Sequence, residues 1–335
     1  PGFSDLRLRS QNIRRTVNFM SASHEKLRSV EVLSTLSSLE SSDLSGYRSD
    51  QGRHLTAGGK VLRIVIAVAM MFACALTPSL LIQIPAVRSF GVAHSHPQSN
   101  VDDVVMAALV LLLYGAATIL VLMLCYVLRR TLDRGRRVSL NLRLDRRALL
   151  WAVGMVLVAV AVNLAVAGIV HALGLAGGNE GMPNRPWWFI AAAIFSQAFF
   201  LQGIPEEIIW RGWLFSSLGE TRFAAVSSVL GFTVLHLLSQ GGQQNLFEHL
   251  TYLALPCGFA VTALIVRMIS GSTWAAIGVH GGIHVANDVL SDRLHLPSGS
   301  ITWVLQGLLW AAVGLLILAF HRRRQRLAAL TDRTC

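Results

Sequence analysis

The sequence predicts an all-α fold, a polytopic membrane helical bundle of about eight transmembrane helices. Hydrophobic residues make up 53% of the 335 residues and charged residues only 14%, a balance too apolar for a soluble domain of this length. The apolar residues gather in runs that approach the ~20 residues a helix needs to cross a bilayer. Arginines gather between these runs. We therefore predict an integral membrane protein.

The apolar runs divide the chain into spans and two flanking segments. Residues 1–58 are rich in Ser, Arg and Asp and lack a long apolar run, so we expect a disordered cytosolic N-terminal arm. A transmembrane helical domain is predicted at 59–320, followed by a basic cytosolic tail at 321–335. The predicted spans are 61–84, 104–128, 148–173, 187–203, 223–240, 250–269, 273–290 and 301–320.

The formal net charge of +11 would favour nucleic-acid binding in a soluble protein. Here the arginines lie beside spans, where they orient a chain against the cytoplasmic leaflet, so no nucleic-acid partner is expected. Eight crossings then place both termini in the cytoplasm, and the compact, arginine-rich loops favour a bacterial cell membrane. The connection after the second span carries Arg129, Arg130, Arg134, Arg136, Arg137, Arg143, Arg146 and Arg147.

The stretch GIPEEIIWRG at 203–212 places ionisable residues beside apolar runs. A charge at mid-bilayer costs roughly 2.5–3.5 kcal/mol on insertion scales, so such residues usually face the bundle interior or a water-filled cavity. Pro205 predicts that a helix begins here. On that helix Glu207 and Arg211 lie one turn apart and can pair, whereas Glu206 points about 100° away and stays free.

We place this stretch at the cytoplasmic end of the fourth span, beside a cavity open to the cytoplasmic leaflet. A Glu–Arg pair at a membrane interface can also be only a topological anchor, so the pair alone does not indicate catalysis.

Three histidines follow in later spans. His236 comes four residues after Phe232 in FTVLH, and His280 and His284 are four apart in HGGIHVAND. Residues at this spacing share one helix face, so His280 and His284 are expected to point the same way. A single histidine on an apolar helix is more often a hydrogen-bonded core residue than a catalyst. Two at this spacing also suit a metal, although the H-E-x-x-H pattern is absent.

Taken together, E-E-x-x-x-R, F-x-x-x-H and H-x-x-x-H resemble the CAAX protease and bacteriocin-processing (CPBP) family, the type II CAAX endopeptidase-like intramembrane proteases. The resemblance covers residues 186–290, about a third of the chain. It implies that Glu206 activates the attacking water together with His236. It also implies a catalytic set made of Glu206, Glu207, Arg211, His236, His280 and His284.

Within that resemblance, Glu207 and Arg211 are the acid and arginine that brace the site, and His280 is the third-motif histidine. Many members carry asparagine four positions later, where this chain has His284. A histidine there can still donate a hydrogen bond to an oxyanion, or it can ligate a metal. The departure leaves both roles open.

Amide hydrolysis needs a base for water, donors for the oxyanion and an acid for the leaving amine. One glutamate and three histidines can supply all of these. A zinc ion held by His236 and His280, lowering the pKa of its bound water to about 7, would activate the water by another route. The sequence leaves both routes open.

The resulting prediction is an intramembrane endopeptidase, a hydrolase, whose partners are the lipid bilayer and a membrane-associated peptide or protein substrate. One alternative is a non-proteolytic membrane scaffold or bacteriocin-immunity protein that retains the same helical core. Another is a transporter, which would explain buried ionisable groups, but no repeated pair of Gly/Pro-broken spans is evident. Substrate identity, prenylation of the substrate and the oligomeric state are left open.

Overall fold

The computed structural model describes residues 55–331 except 97–98, 176, 178–184, 240, 291–293, 295 and 298, and these described residues form no β-strand. Most of the predicted N-terminal arm and residues 332–335 of the tail lie outside the described residues. The helices are α1 (Ala57–Leu81), α2 (Pro85–His94), α3 (Asn100–Arg130), α4 (Arg146–Ala172), α5 (Trp187–Ser217), α6 (Arg222–Leu235), α7 (Leu246–Tyr252), α8 (Ala254–Ser270), α9 (Thr273–Leu290) and α10 (Ser300–Thr331).

A helix occupies each of the eight predicted spans, which confirms the all-α polytopic bundle. Within the described residues, six helical segments are long and apolar enough to cross a membrane, α7 and α8 counting together as one segment. The two other spans correspond to the shorter apolar segment Arg222–Leu238 and to α9. Most of α9 is buried among other helices, so its surface does not need to match lipid.

Helix α9 is central because it packs against α4, α5 and α8, and α8 in turn packs against α10. Glycines bring these backbones together. A Cβ added to Gly278 would lie 2.3 Å from the carbonyl oxygen of Ala152, and one added to Gly258 would lie 2.0 Å from that of Gly307. Small residues that allow such close approach are typical of membrane helix interfaces.

An α-helical segment begins at Ile204, with Pro205 in its first positions, but it continues directly from the preceding part of α5 and does not start a new helix. The turn before the proline, Ser196–Gly203, is π-helical, and the backbone N–H of Ile204 bonds to the carbonyl of Phe199 five residues earlier. A π-helical segment breaks the α-helical hydrogen-bond pattern within a helix, and here the helix continues past a residue without a backbone N–H. The fourth span therefore ends at Ser217 and not near residue 203.

The connection between α3 and α4, residues 131–145, lies against the ends of several helices, and we call this side of the bundle the arginine-rich end. Arg136 Nη2 donates to the carbonyl of Ser217 at the end of α5, over 3.2 Å. Thr273 Oγ1, at the start of α9, donates to the carbonyl of Leu140 over 2.7 Å. Since α5 ends here and α9 begins here, the two helices are antiparallel.

A buried ion pair fixes this end further. Asp133 accepts hydrogen bonds from Arg63 Nη2 over 2.5 Å and from Trp213 Nε1 over 2.9 Å. All three side chains are buried. The start of α1 and the last turns of α5 are thereby tied to the arginine-rich connection.

Candidate active site

Glu207 is the centre of the predicted site and is fully buried. Its Oε1 accepts a hydrogen bond from Arg211 Nη1 over 3.0 Å, which confirms the predicted pairing one turn along α5. The same oxygen lies 3.0 Å from His280 Nδ1 on α9. One carboxylate oxygen therefore joins the first and third motifs, which are 73 residues apart in the sequence.

Arg211 extends this network to two more helices. Its Nη2 donates to the carbonyl of Ala260 on α8 over 3.2 Å. Its guanidinium lies 4.5 Å from the ring centroid of Phe232 on α6, within the range of a cation–π contact. Phe232, the first residue of the second motif, thus packs against the arginine of the first motif.

The hydrogen bonds of two histidines determine their tautomers. His236 Nδ1 lies 2.8 Å from the carbonyl oxygen of Phe232, which can only accept, so Nδ1 carries the proton. His280 Nδ1 faces the carboxylate of Glu207, which is paired with an arginine and also accepts. Each imidazole therefore keeps an unprotonated Nε2 that can accept a hydrogen bond or a proton.

Glycines let α5 and α9 approach closely at the site. A Cβ on Gly203 would lie 3.1 Å from the backbone nitrogen of Gly281, and a Cβ on Gly281 would lie 2.4 Å from the ring of Phe199. On the other side of α9, a Cβ on Gly282 would lie 2.9 Å from Val156 Cα on α4. The two adjacent glycines therefore let α5 and α4 approach α9 closely.

A cavity of about 610 Å³ lies beside this network. Glu206, His236, His280 and His284 line it, whereas Glu207 and Arg211 do not. The ring centroids of His280 and His284 are 5.1 Å apart, so both point to the same side as predicted. The six predicted residues therefore divide into four that face the cavity and two that lie buried behind it.

Glu206 and Glu207 differ in their partners, because Glu207 Oε1 bonds to Arg211 and His280 although its Oε2 has no hydrogen-bond partner among the described residues. The Oε2 of Glu206 is also buried without a hydrogen-bond partner among these residues, and Glu206 lines the cavity. The prediction that one glutamate pairs with the arginine while the other stays free is therefore confirmed for this oxygen. A carboxylate oxygen without a partner beside a polar cavity is a candidate for proton transfer.

The cavity is also lined by polar side chains that do not belong to the three motifs. Gln197 and Gln202 on α5 both face the cavity. Tyr252 and Gln306 were not predicted, because each is an isolated residue without a motif. Further polar residues on the wall are Ser239, Asn287, Asp288 and Thr302.

Gln306 also belongs to a buried amide network. Its Nε2 donates to Asn287 Oδ1 over 2.8 Å and to Asn163 Oδ1 over 3.0 Å. These bonds connect α10 to α9 and α4. Asn163 is therefore an interhelical hydrogen-bond partner, and Asn287 is held one turn beyond His284.

The cavity extends away from the arginine-rich end, whereas the sequence placed this stretch at the cytoplasmic end of the fourth span, beside a cavity open to the cytoplasmic leaflet. From Glu206 and His280 it extends to Gly241, beyond α6, and to Pro297, before α10. These connections lie at the opposite end of the bundle because α6 and α9 both begin near the arginine-rich end. The difference arises because α5 continues for eleven residues past Glu206, about 16 Å at 1.5 Å per residue.

The side chains were also tested against the zinc hypothesis. The Nε2 atoms of His236 and His280 have the right chemistry for a metal. However, among the residues that the structure describes, no group of three or more His, Cys, Asp or Glu side chains is arranged to hold a metal ion. A catalytic zinc normally takes three protein ligands. The donor set among the described residues therefore does not fit such a centre, and metal analysis of the purified chain tests the zinc hypothesis.

Comparison with known proteins supports the motif analysis. Residues 183–286 match the family model described as Type II CAAX prenyl endopeptidase Rce1-like. None of the curated proteins and none of the solved structures compared with the chain matches it. The family implies a protease, and with the apolar helices it indicates an integral membrane protein. Residues 183–286, about a third of the chain, are thus similar to the Rce1-like type II CAAX prenyl endopeptidases, which supports the resemblance to the CPBP family.

Proposed function

We propose that this protein is an intramembrane endopeptidase that hydrolyses peptide bonds of membrane-associated peptides or proteins with a water activated by Glu206. The observation that carries the proposal is the meeting of Glu206, His236, His280 and His284 on one cavity wall. They come from α5, the turn that follows α6, and α9. Isolated carboxylates are costly within a membrane protein, and a free Glu206 Oε2 fits a functional role better than a structural one.

In the proposed reaction, the Glu206 carboxylate takes a proton from water as the water oxygen bonds to the carbonyl carbon of the scissile amide. His236 Nε2 accepts the second O–H of that water and orients it. A ring N–H of His284 donates to the oxyanion that forms on the substrate oxygen. Glu206 then returns its proton to the amide nitrogen as the C–N bond breaks, which releases an amine and a carboxylic acid.

The buried residues hold this arrangement in place. Glu207 accepts from His280 Nδ1 and so fixes the ring that stacks near His284. Arg211 compensates the charge of Glu207 and connects it to α8. We therefore propose Glu207, Arg211 and His280 as positioning residues, and Glu206, His236 and His284 as the residues that touch the reacting atoms.

The test is cleavage of a quenched-fluorescent peptide library by the full chain in detergent. We expect Glu206→Gln and His236→Ala to lose about 10²-fold or more of the rate, the range of general acid–base catalysis. Glu248→Gln, on α7 and outside the cavity lining, is the matched carboxylate control and is expected to cleave like the wild type.

Equal thermal unfolding of all variants shows that the loss is not due to misfolding. Cleavage that persists in both site variants would rule out these assignments. Absence of any product with the wild-type chain would favour the non-proteolytic scaffold.

A further inference from the structure

The cavity connects the site to one end of the bundle only. At the arginine-rich end the path from Glu206 is closed by the last turns of α5, where Trp210, Trp213 and Phe215 are fully buried. Toward the opposite end the wall is polar at Gln197 and Asp288. A peptide chain therefore has an approach to Glu206 from the end that holds the α6–α7 and α9–α10 connections.

The rim of the cavity is apolar on the side formed by α1 and the turn after α6. Phe72 and Leu238 line the cavity and are still 42% and 69% exposed. Phe72 lies fifteen residues after the start of α1, about 22 Å from the arginine-rich end. The rim thus sits in the half of the bundle nearest the opening, where lipid-exposed apolar side chains suit a membrane-anchored substrate.

The number of basic residues differs between the two ends of the bundle. The arginine-rich end carries four arginines in the α3–α4 connection and four more on the adjoining ends of α3 and α4, and Lys60, Arg63, Arg222 and Arg267 lie on helix ends there. At the opposite end the described residues include Arg88 and Arg185, and Arg185 is paired with Asp103 over 2.6 Å. An excess of arginine in short connections marks the cytoplasmic side of a membrane protein.

From the direction of the cavity and the distribution of arginines we infer that the substrate reaches the site from the extracytoplasmic face of the membrane. Its substrate would be a segment of a secreted or membrane-anchored peptide that lies outside the cytoplasm, and not the cytosolic tail of a protein. This inference rests on the proposed function. It adds a direction of access, which follows from the end at which the cavity opens and the end at which the arginines lie.

Orientation is tested first by cysteine labelling in a chain that carries Cys257→Ser and Cys335→Ser, since Cys74 and Cys125 are buried. Leu246→Cys, at the opening end and 73% exposed in the native chain, should react with a membrane-impermeant maleimide in intact spheroplasts. Arg134→Cys, in the arginine-rich connection, should react only after permeabilisation. The reverse pattern would overturn the inference.

Access is then tested with a soluble quenched-fluorescent peptide library added to sealed vesicles of both orientations from cells that express the full chain. We expect cleavage in right-side-out vesicles at least tenfold faster than in inside-out vesicles, and none with Glu206→Gln. Faster cleavage in inside-out vesicles would overturn the inference and leave the proposed function standing. An enzyme that cleaves peptides in detergent but not in right-side-out vesicles would also overturn the inference and leave the proposed function standing. No cleavage in vesicles or detergent would instead contradict the proposed function.

Discussion

Glu207 Oε1 lies 3.0 Å from His280 Nδ1, and the same oxygen accepts from Arg211 Nη1 at 3.0 Å. These side chains are almost completely buried. The shared carboxylate balances the charge of the buried Arg211 guanidinium. It also fixes the position of the His280 imidazole. It joins α5 to α9 at the depth where the cavity begins.

The first prediction follows from this shared carboxylate. Glu207→Leu leaves Arg211 buried without its carboxylate, and breaking a buried pair in this way costs roughly 3–5 kcal/mol of unfolding free energy. Glu207→Leu combined with Arg211→Met removes both charges and should recover most of that stability. Neither variant should cleave peptides, because His280 is no longer held. Unfolding in detergent measures the stability, and a double variant as unstable as the single one would contradict the pair's role.

The second prediction separates the two nitrogens of His236. In His236→Asn, the side-chain amide can still donate to the carbonyl of Phe232, but nothing replaces Nε2. We expect near-native thermal unfolding together with a loss of about 10²-fold or more in cleavage rate. His236→Phe, which lacks both groups, serves as the comparison. Cleavage by the asparagine variant at the wild-type rate would show that Nε2 takes no part.

The third prediction concerns the contact between α4 and α9. Gly278→Ala would place a Cβ 2.3 Å from the carbonyl oxygen of Ala152, and backbone atoms cannot move aside as a flexible side chain can. We expect a lower unfolding temperature and a loss of activity, since α9 carries two site histidines. Gly154→Ala on α4 is the matched control because its Cβ would meet no atom within 4 Å. It should be neutral or more stable by up to about 1 kcal/mol.

Apolar runs and arginine placement were enough to predict the helical bundle, because lipid requires long apolar helices and leaves few alternatives. They did not predict the boundaries of α5. Pro205 is a helix-start signal in most contexts, but the preceding π-helical turn lets the helix continue. A bulge of this kind depends on packing around the whole helix and has no local sequence signal.

The site was predictable to the extent that helical spacing governs it. Four-residue spacings placed Glu207 beside Arg211 and His280 beside His284. Spacing could not show that His280 reaches Glu207, because that contact depends on how α5 and α9 pack. The positions of Tyr252 and Gln306 on the cavity wall also depend on helix packing, so the sequence could not predict them. The same holds for the direction in which the cavity opens.

The fourth prediction addresses the metal. The described residues bring together no group of three or more side chains suited to hold a metal ion, so we expect cleavage to survive treatment with a strong zinc chelator. Elemental analysis of the purified, active chain should then find well below one zinc per chain. A stoichiometric zinc that is lost in His280→Ala, together with chelator-sensitive cleavage that added zinc restores, would establish a metal centre instead.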